Sequence, residues 1–308
     1  MVGRRREVEL VLAALLAGRH MLLEGPPGTG KSTLLRGLAR GAGLPFEFVE
    51  GNAELTPARL VGSHDPSRVL REGYVDDVFV DGPLAAAMRQ GALLYVEEIN
   101  RVPEETLNVL ITVMSEAELH VPRLGRLVAA DGFRLVAAMN PFDAVGTARI
   151  ASAIYDRTCR VRMDYQSAAD EAEIVRRNAG AASDVDVERV VELVRRTRSH
   201  RDVRVGSSVR GAIDLVLVAR SLAGLRGCSA DDRGVGLDAA QTALSGRLRL
   251  HEGSARTSEE VVRELWEQVF GASDQDDDQP DEDPDGAGEE PGGVHRPDRA
   301  GGLLRPGT

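Results

Sequence analysis

The sequence predicts an α/β fold: a parallel sheet sandwiched by helices, followed by a small all-α domain and an acidic tail. Three observations predict it. Short, continuous apolar runs such as Ala92-Leu93-Leu94-Tyr95-Val96 recur between helical stretches. Strands apolar on both faces belong inside parallel sheets covered by helices. From Ser167 the apolar spacing is helical throughout. From Gly271 the composition collapses to Asp, Glu, Gly and Pro, which cannot bury enough apolar surface to fold alone. The boundaries that follow are 1–166 for the α/β domain, 167–270 for the helical domain and 271–308 for a disordered tail.

Residues 4–17 read as a helix with Val8, Val11, Leu12, Leu15 and Leu16 on one side, ended by Gly18. The run at 19–24 reads as a short buried strand, 33–40 as a helix and 46–50 as a second strand. Pro57, Gly62, Pro66, Gly73 and Gly82 break up residues 52–82, which read as an exposed insertion containing a hairpin. Residues 83–90 form a helix with proline in its first turn. The strand at 92–96 ends in Glu97-Glu98. A helix over 104–118 turns Leu107, Leu110, Ile111 and Met114 inward. A small hairpin at 119–130 precedes a buried strand at 133–139, which stops at Asn140-Pro141, and 160–163 is the last strand. Helices follow at 168–178, 186–198, 206–223 and 237–249. The last, 258–270, carries Val261, Val262, Leu265, Trp266 and Val269 on one face.

The net charge of −11 is concentrated at the end of the chain, where residues 271–308 hold eleven acids and three arginines. The rest is close to neutral and has no basic stripe with interleaved aromatics, so nothing argues for nucleic acid as the main ligand. No apolar run approaches 18 residues, so neither a membrane span nor a signal segment is expected. Cys159 and Cys228 are far apart, with neither metal spacing nor a disulfide framework, which fits a reducing cytoplasm.

The chemistry centres on Gly25-Pro26-Pro27-Gly28-Thr29-Gly30-Lys31-Ser32. This fits the phosphate-binding loop G-x-x-x-x-G-K-[ST] in its required setting, between a strand and a helix. Such a loop turns successive backbone N–H groups toward a phosphate, and the helix dipole adds positive potential. Lys31 would reach the β- and γ-phosphates, Ser32 would hold Mg²⁺, and Thr33 continues the helix behind them. Of 38 basic residues, Lys31 is the only lysine. A chain built on arginine has kept one compact ammonium where a planar fork would fit badly. Glu97 and Glu98 lie at a strand's carboxyl end, where open α/β sheets bind ligands. One can hold Mg²⁺ through its water shell and the other can polarise an attacking water. Asn140 ends the strand expected between the loop and Glu98, where an amide can bond the γ-phosphate or the lytic water. Arg157 and Arg210 are candidate transition-state cations.

With these motifs in order, the chain resembles the AAA+ ATPases of MoxR type, the group with an insertion in helix 2. Val2-Gly3-Arg4 resembles the family's adenine-contact segment, 25–32 its Walker A, and 93–100 with Arg101-Val102-Pro103 its Walker B and following motif. Asn140 matches sensor 1, Arg157 the arginine finger and Arg210 sensor 2. Glu97 departs from the usual Asp. The resemblance covers about residues 1–250. It implies an AAA+ P-loop core with a helical lid, ATP and Mg²⁺ as ligands, and ATP hydrolysis at an interface reached by the neighbour's Arg157. It further implies a ring, most often a homo-hexamer, that remodels a protein client with a von Willebrand factor A-domain partner. Two alternatives stay open. One is the motor of a chelatase or an McrB-like NTPase. The other, motivated by Glu97, is a non-hydrolysing nucleotide switch or scaffold.

Overall fold

Helix α1 (Arg5–Leu16) leads through a left-handed Gly18 into β1 (His20–Glu24), and the glycine-rich turn joins β1 to α2 (Lys31–Ala42) and β2 (Phe46–Glu50). The insertion holds α3 (Pro57–Val61), β3 (Gly62–His64), α4 (Pro66–Glu72) and β4 (Phe79–Asp81), with β3 and β4 paired antiparallel. Then come α5 (Pro83–Gln90), β5 (Leu93–Glu97), α6 (Glu104–Glu116), a hairpin of β6 (Glu118–Val121) and β7 (Gly125–Val128), and β8 (Arg134–Met139). Helix α7 (Ser152–Arg157) runs directly into β9 (Thr158–Arg162). The structure, a computed structural model, describes residues 1–141, 152–180 and 185–271, and these last residues, up to Gly271, belong to the same unit as the first. The acidic tail lies outside the described residues.

Five strands form one parallel sheet in the order β2-β5-β8-β1-β9. The strand ending in Asn140 therefore lies between the one leading into the loop and the one ending in Glu97. Alternation along each strand divides the core. Leu22, Leu94, Val96, Leu135 and Ala137 face α5 and α6, while Met21, Leu23, Tyr95, Val136 and Ala138 face α1 and α2. Both faces are covered, which is why these strands read as unbroken apolar runs.

The helical region comprises α8 (Ala168–Ala179), α9 (Val187–Thr197), α10 (Val209–Arg226), α11 (Arg233–Leu244) and α12 (Ser258–Phe270) around a core of its own. It is not wholly helical, because β10 (Val203–Val205) and β11 (Arg249–Leu250) pair antiparallel. Two strands this short leave no periodic trace in sequence. Helix α11 begins four residues before its expected start because the Asp232 carboxylate accepts hydrogen bonds from the N–H groups of Gly234 and Val235.

Two further expectations change. In α1, Val8, Val11 and Leu15 face the sheet, but Leu12 and Leu16 are exposed, Leu16 at 88%. Each follows an inward residue by one position, which rotates it about 100° around the helix, past the edge of the sheet. The insertion is only partly exposed, since Leu55 and Leu60 are buried in the core shared with α5.

At the amino end of β1, the Nδ1 of His20 accepts a hydrogen bond from the Leu135 N–H at 2.9 Å. Burial, helped by the nearby Arg134, lowers the imidazole pKa from 6.5 to about 4. The folded state therefore refuses a proton that the unfolded chain accepts below about pH 6.5. The stability conferred by neutral His20 is full above that pH and is lost as pH falls toward 4. Urea midpoints at pH 7.5 and 4.5 should differ less in His20→Asn, which keeps an acceptor but cannot titrate. The expected difference is about 1–2 kcal/mol after allowing for partial solvent screening.

Candidate nucleotide-binding site

The loop of residues 25–30 leaves the carboxyl end of β1 and is pinned on several sides. The Gly25 N–H donates to the Met139 carbonyl at 3.2 Å. A Cβ at Gly25 would lie 2.1 Å from the Met163 carbonyl oxygen, so no larger residue fits. Gly28 has φ 78°, and a Cβ there would come within 2.2 Å of the Ser208 hydroxyl at the start of α10. The glycine thus supplies a left-handed turn and also lets the helical region close directly on the loop. The Thr29 hydroxyl donates to the Pro26 carbonyl at 2.9 Å.

Lys31 is 8% exposed and lies inside the loop, its Nζ donating to the carbonyls of Gly25 at 2.8 Å and Pro26 at 3.0 Å. Burial lowers its pKa. Glu97 and Glu98 oppose that shift, while Arg210 and Arg4 add to it. The ammonium is thus short of partners for its charge, which suits it to receive phosphate oxygens.

Beneath the loop, the Ser32 hydroxyl donates to Glu97 Oε1 at 2.6 Å and lies 3.2 Å from the Tyr95 phenol oxygen. Burial pushes the Tyr95 phenol well above its ordinary pKa, so it stays a neutral hydrogen-bonding group. A hydroxyl and a carboxylate in mutual contact are the sparse oxygen set that Mg²⁺ accepts while keeping waters and phosphate oxygens. The longer Glu97 reaches Ser32 without difficulty. Among the described residues no three His, Cys, Asp or Glu side chains gather, so phosphate oxygens and water would complete the shell.

Glu98 has φ 52°, a left-handed conformation unusual for a side chain of this kind and one that recurs at functional sites. Its carboxylate Oε2 lies 3.4 Å from Arg101 Nε. Asn140 follows β8 one residue beyond Met139, itself paired with Glu24 of β1. Glu97, Glu98, Asn140 and the loop therefore share one edge of the sheet.

A cavity of about 380 Å³ opens beside the loop between Gly28, Thr29, Gly30 and Thr33 on one side and Val209 and Arg210 of α10 on the other. Val2 also lines it, with its carbonyl accepting a hydrogen bond from Gln166 Nε2. Gly3 packs beside the Asp170 carboxylate and does not line the cavity. Arg157 is elsewhere. It lines a separate recess of about 450 Å³ with Gly18, Arg19 and His20, at the amino end of β1.

Three residues gain roles here that the sequence alone did not assign. Arg4, 7% exposed, reaches from the start of α1 to the Thr29 carbonyl at 3.0 Å and the Asp164 carbonyl at 2.6 Å, clamping the loop. Tyr95 read as part of an apolar strand, and Ser208 as part of the helix over 206–223, where it is instead the residue capping the start of α10, its hydroxyl accepting from the Arg210 N–H. For Arg4 the one signal was its membership of the Val2-Gly3-Arg4 segment.

A family model described as an AAA domain of the dynein-related subfamily matches residues 20–158. The chain is 31% identical over 206 residues to the gas vesicle ATPase GvpN1 of Halobacterium salinarum, covering 62% of this chain and 59% of that one. It thus spans about three fifths of the length of that relative. It is 30% identical over 203 residues to an uncharacterized protein of Staphylococcus epidermidis, covering 64% of this chain and 76% of that one. A point variant of RuvB from Thermotoga maritima shares the fold, with a TM-score of 0.53 at 18% identity over 79% of this chain and 71% of that one.

Proposed function

The chain belongs to the AAA+ ATPases, of MoxR type, and from that premise we propose that it is an ATP-hydrolysing motor that remodels a protein client. The observation that carries the reading is the Ser32–Glu97 pair lying directly beneath the loop that encloses Lys31. ATP binds between the loop and α10, with its phosphates on the backbone N–H groups of 28–32 and on Lys31. Arg210, on the first turn of α10, adds a second cation to the same cavity and so ties the helical region to the phosphates. In this scheme residues 1–166 are the nucleotide-binding domain and 167–270 a lid. Mg²⁺ held by Ser32 and Glu97 would neutralise charge on the phosphates. Glu98 orients and deprotonates the attacking water, and Asn140 holds that water or the γ-phosphate. Loss of the γ-phosphate removes what Arg210 grips and releases the lid.

Arg157 completes the site of a neighbouring copy in a ring, which we take to be a homo-hexamer. A von Willebrand factor A-domain protein as partner and a cytoplasmic location belong to the same proposal. Among the described residues no helix is long and apolar enough to cross a membrane.

Glu98→Gln tests the scheme. It should bind ATP like the parent and release phosphate at least about 10²-fold more slowly, the usual contribution of a general base. Mg²⁺-dependent phosphate release and calorimetry measure the two quantities. Background turnover in the parent, unchanged by the substitution, would identify a nucleotide switch instead. The same variant loaded with ATP should hold client and partner for identification by mass spectrometry.

A further inference from the structure

Glu24 is the last residue of β1 before the loop, and the catalytic scheme gives it no task. Its side chain is nevertheless 6% exposed, and a buried carboxylate is costly unless hydrogen-bonded. Two groups satisfy it. The Tyr155 phenol donates to Oε1 at 2.9 Å, and Arg160 Nη1 lies 3.3 Å from Oε2. Tyr155 belongs to α7, two residues before Arg157, and 131 positions from Glu24 in the chain. The Tyr155 ring is itself 40% exposed, so it contributes little to the core, and its one specific contact with the strand is through the hydroxyl.

The far end of α7 is anchored as well. Arg157 Nε donates to the Ser115 hydroxyl on the last turn of α6, and Nη1 donates to the Ala153 carbonyl at 3.0 Å. Helix α7 therefore spans from the root of the loop to the presented guanidinium. At the root, the Gly25 carbonyl next to Glu24 is the one that Lys31 now holds at 2.8 Å. That carbonyl belongs to the Gly25–Pro26 peptide; the peptide adjoining Glu24 is fixed separately, its N–H donating to the Met139 carbonyl at 3.2 Å and its carbonyl accepting from the Met163 N–H at 2.7 Å.

From this geometry we infer that Tyr155 is a positioning residue: through Glu24, fixed at the root of the loop, it sets the orientation in which α7 offers Arg157 to the next subunit. The inference rests on the reading of Arg157 as acting on a neighbour's nucleotide.

Full-length Tyr155→Phe tests this, since phenylalanine keeps the ring and removes only the donor. Affinity for a fluorescent ATP analogue should stay within about twofold, and turnover should fall about tenfold, the loss expected when one hydrogen bond no longer holds a catalytic group in place. In mixtures with Glu98→Gln protein, turnover per Tyr155→Phe subunit should rise severalfold, because the finger then comes from an unaltered α7. Glu24→Gln, which still offers the phenol an acceptor, should lose less than Tyr155→Phe. Parental turnover in Tyr155→Phe, a matching loss of ATP affinity, or a loss that mixing does not repair would each overturn the inference. Arg157→Ala in the same mixtures separates the two levels. If it recovers and Tyr155→Phe does not, the positioning role falls alone; if neither recovers, the trans reading falls and takes this one with it.

Discussion

Arg157→Ala should leave ATP affinity within about twofold of the parent and lower turnover by roughly 10³-fold or more, the scale of an arginine finger. The structure makes it hard for this residue to act on its own nucleotide. Thr158, the residue after it, pairs with His20 at the amino end of β1, whereas the loop leaves the carboxyl end after Glu24. Five residues of strand at about 3.3 Å each separate the two edges by roughly 15 Å. The guanidinium is also tied to the Ser115 hydroxyl of α6 and the Ala153 carbonyl of its own helix. If it serves a phosphate, that phosphate belongs to another copy. Mixing Arg157→Ala with Glu98→Gln should therefore restore part of the turnover that neither variant has alone, because some sites then combine an intact Glu98 with an intact neighbouring Arg157. Mixtures as inactive as their components would refute the shared site, and a loss of ATP binding in Arg157→Ala would mean the residue acts within its own subunit.

Lys31→Ala should abolish measurable ATP binding. The ammonium is buried, its pKa is lowered, and it stands ready for two or more charge-assisted hydrogen bonds to phosphate. At about 1.5–3 kcal/mol each, losing two raises Kd by at least about 10²-fold. The empty loop also depends on it, because without Nζ the carbonyls of Gly25 and Pro26 lose their donor. Lys31→Arg should fail nearly as badly, since a planar fork cannot occupy the narrow position between those carbonyls. Calorimetry with ATP decides both variants. Retained micromolar affinity in Lys31→Ala would show that the loop is not where the phosphates bind.

How much of this was legible beforehand depends on the range of the interaction. The loop was readable because its requirements are local: glycines at fixed spacing, a strand before and a helix after. The buried strands were readable because a parallel sheet covered on both faces demands uninterrupted apolar residues. Helix α12 was readable from its period, and the structure adds the Thr257–Glu260 capping box at its start. The clamp by Arg4 was not, because the resemblance marks Val2-Gly3-Arg4 only as a segment, and nothing local shows that the Arg4 head is buried against Thr29. The outward Leu12 and Leu16 were not, because periodicity gives a stripe its direction and not its usable width.

Amino-acid order alone thus indicated the α/β architecture, the glycine-rich turn between strand and helix and the carboxylates at a strand end, each from a pattern written locally in the chain. Tertiary structure alone decided that Arg210 shares a cavity with the loop while Arg157 lies at the opposite edge of the sheet, and that Glu24 meets Tyr155. Those facts depend on which strands become neighbours and which way α7 and α10 run against them. Such pairings are set by long-range packing, and no local period or motif records them.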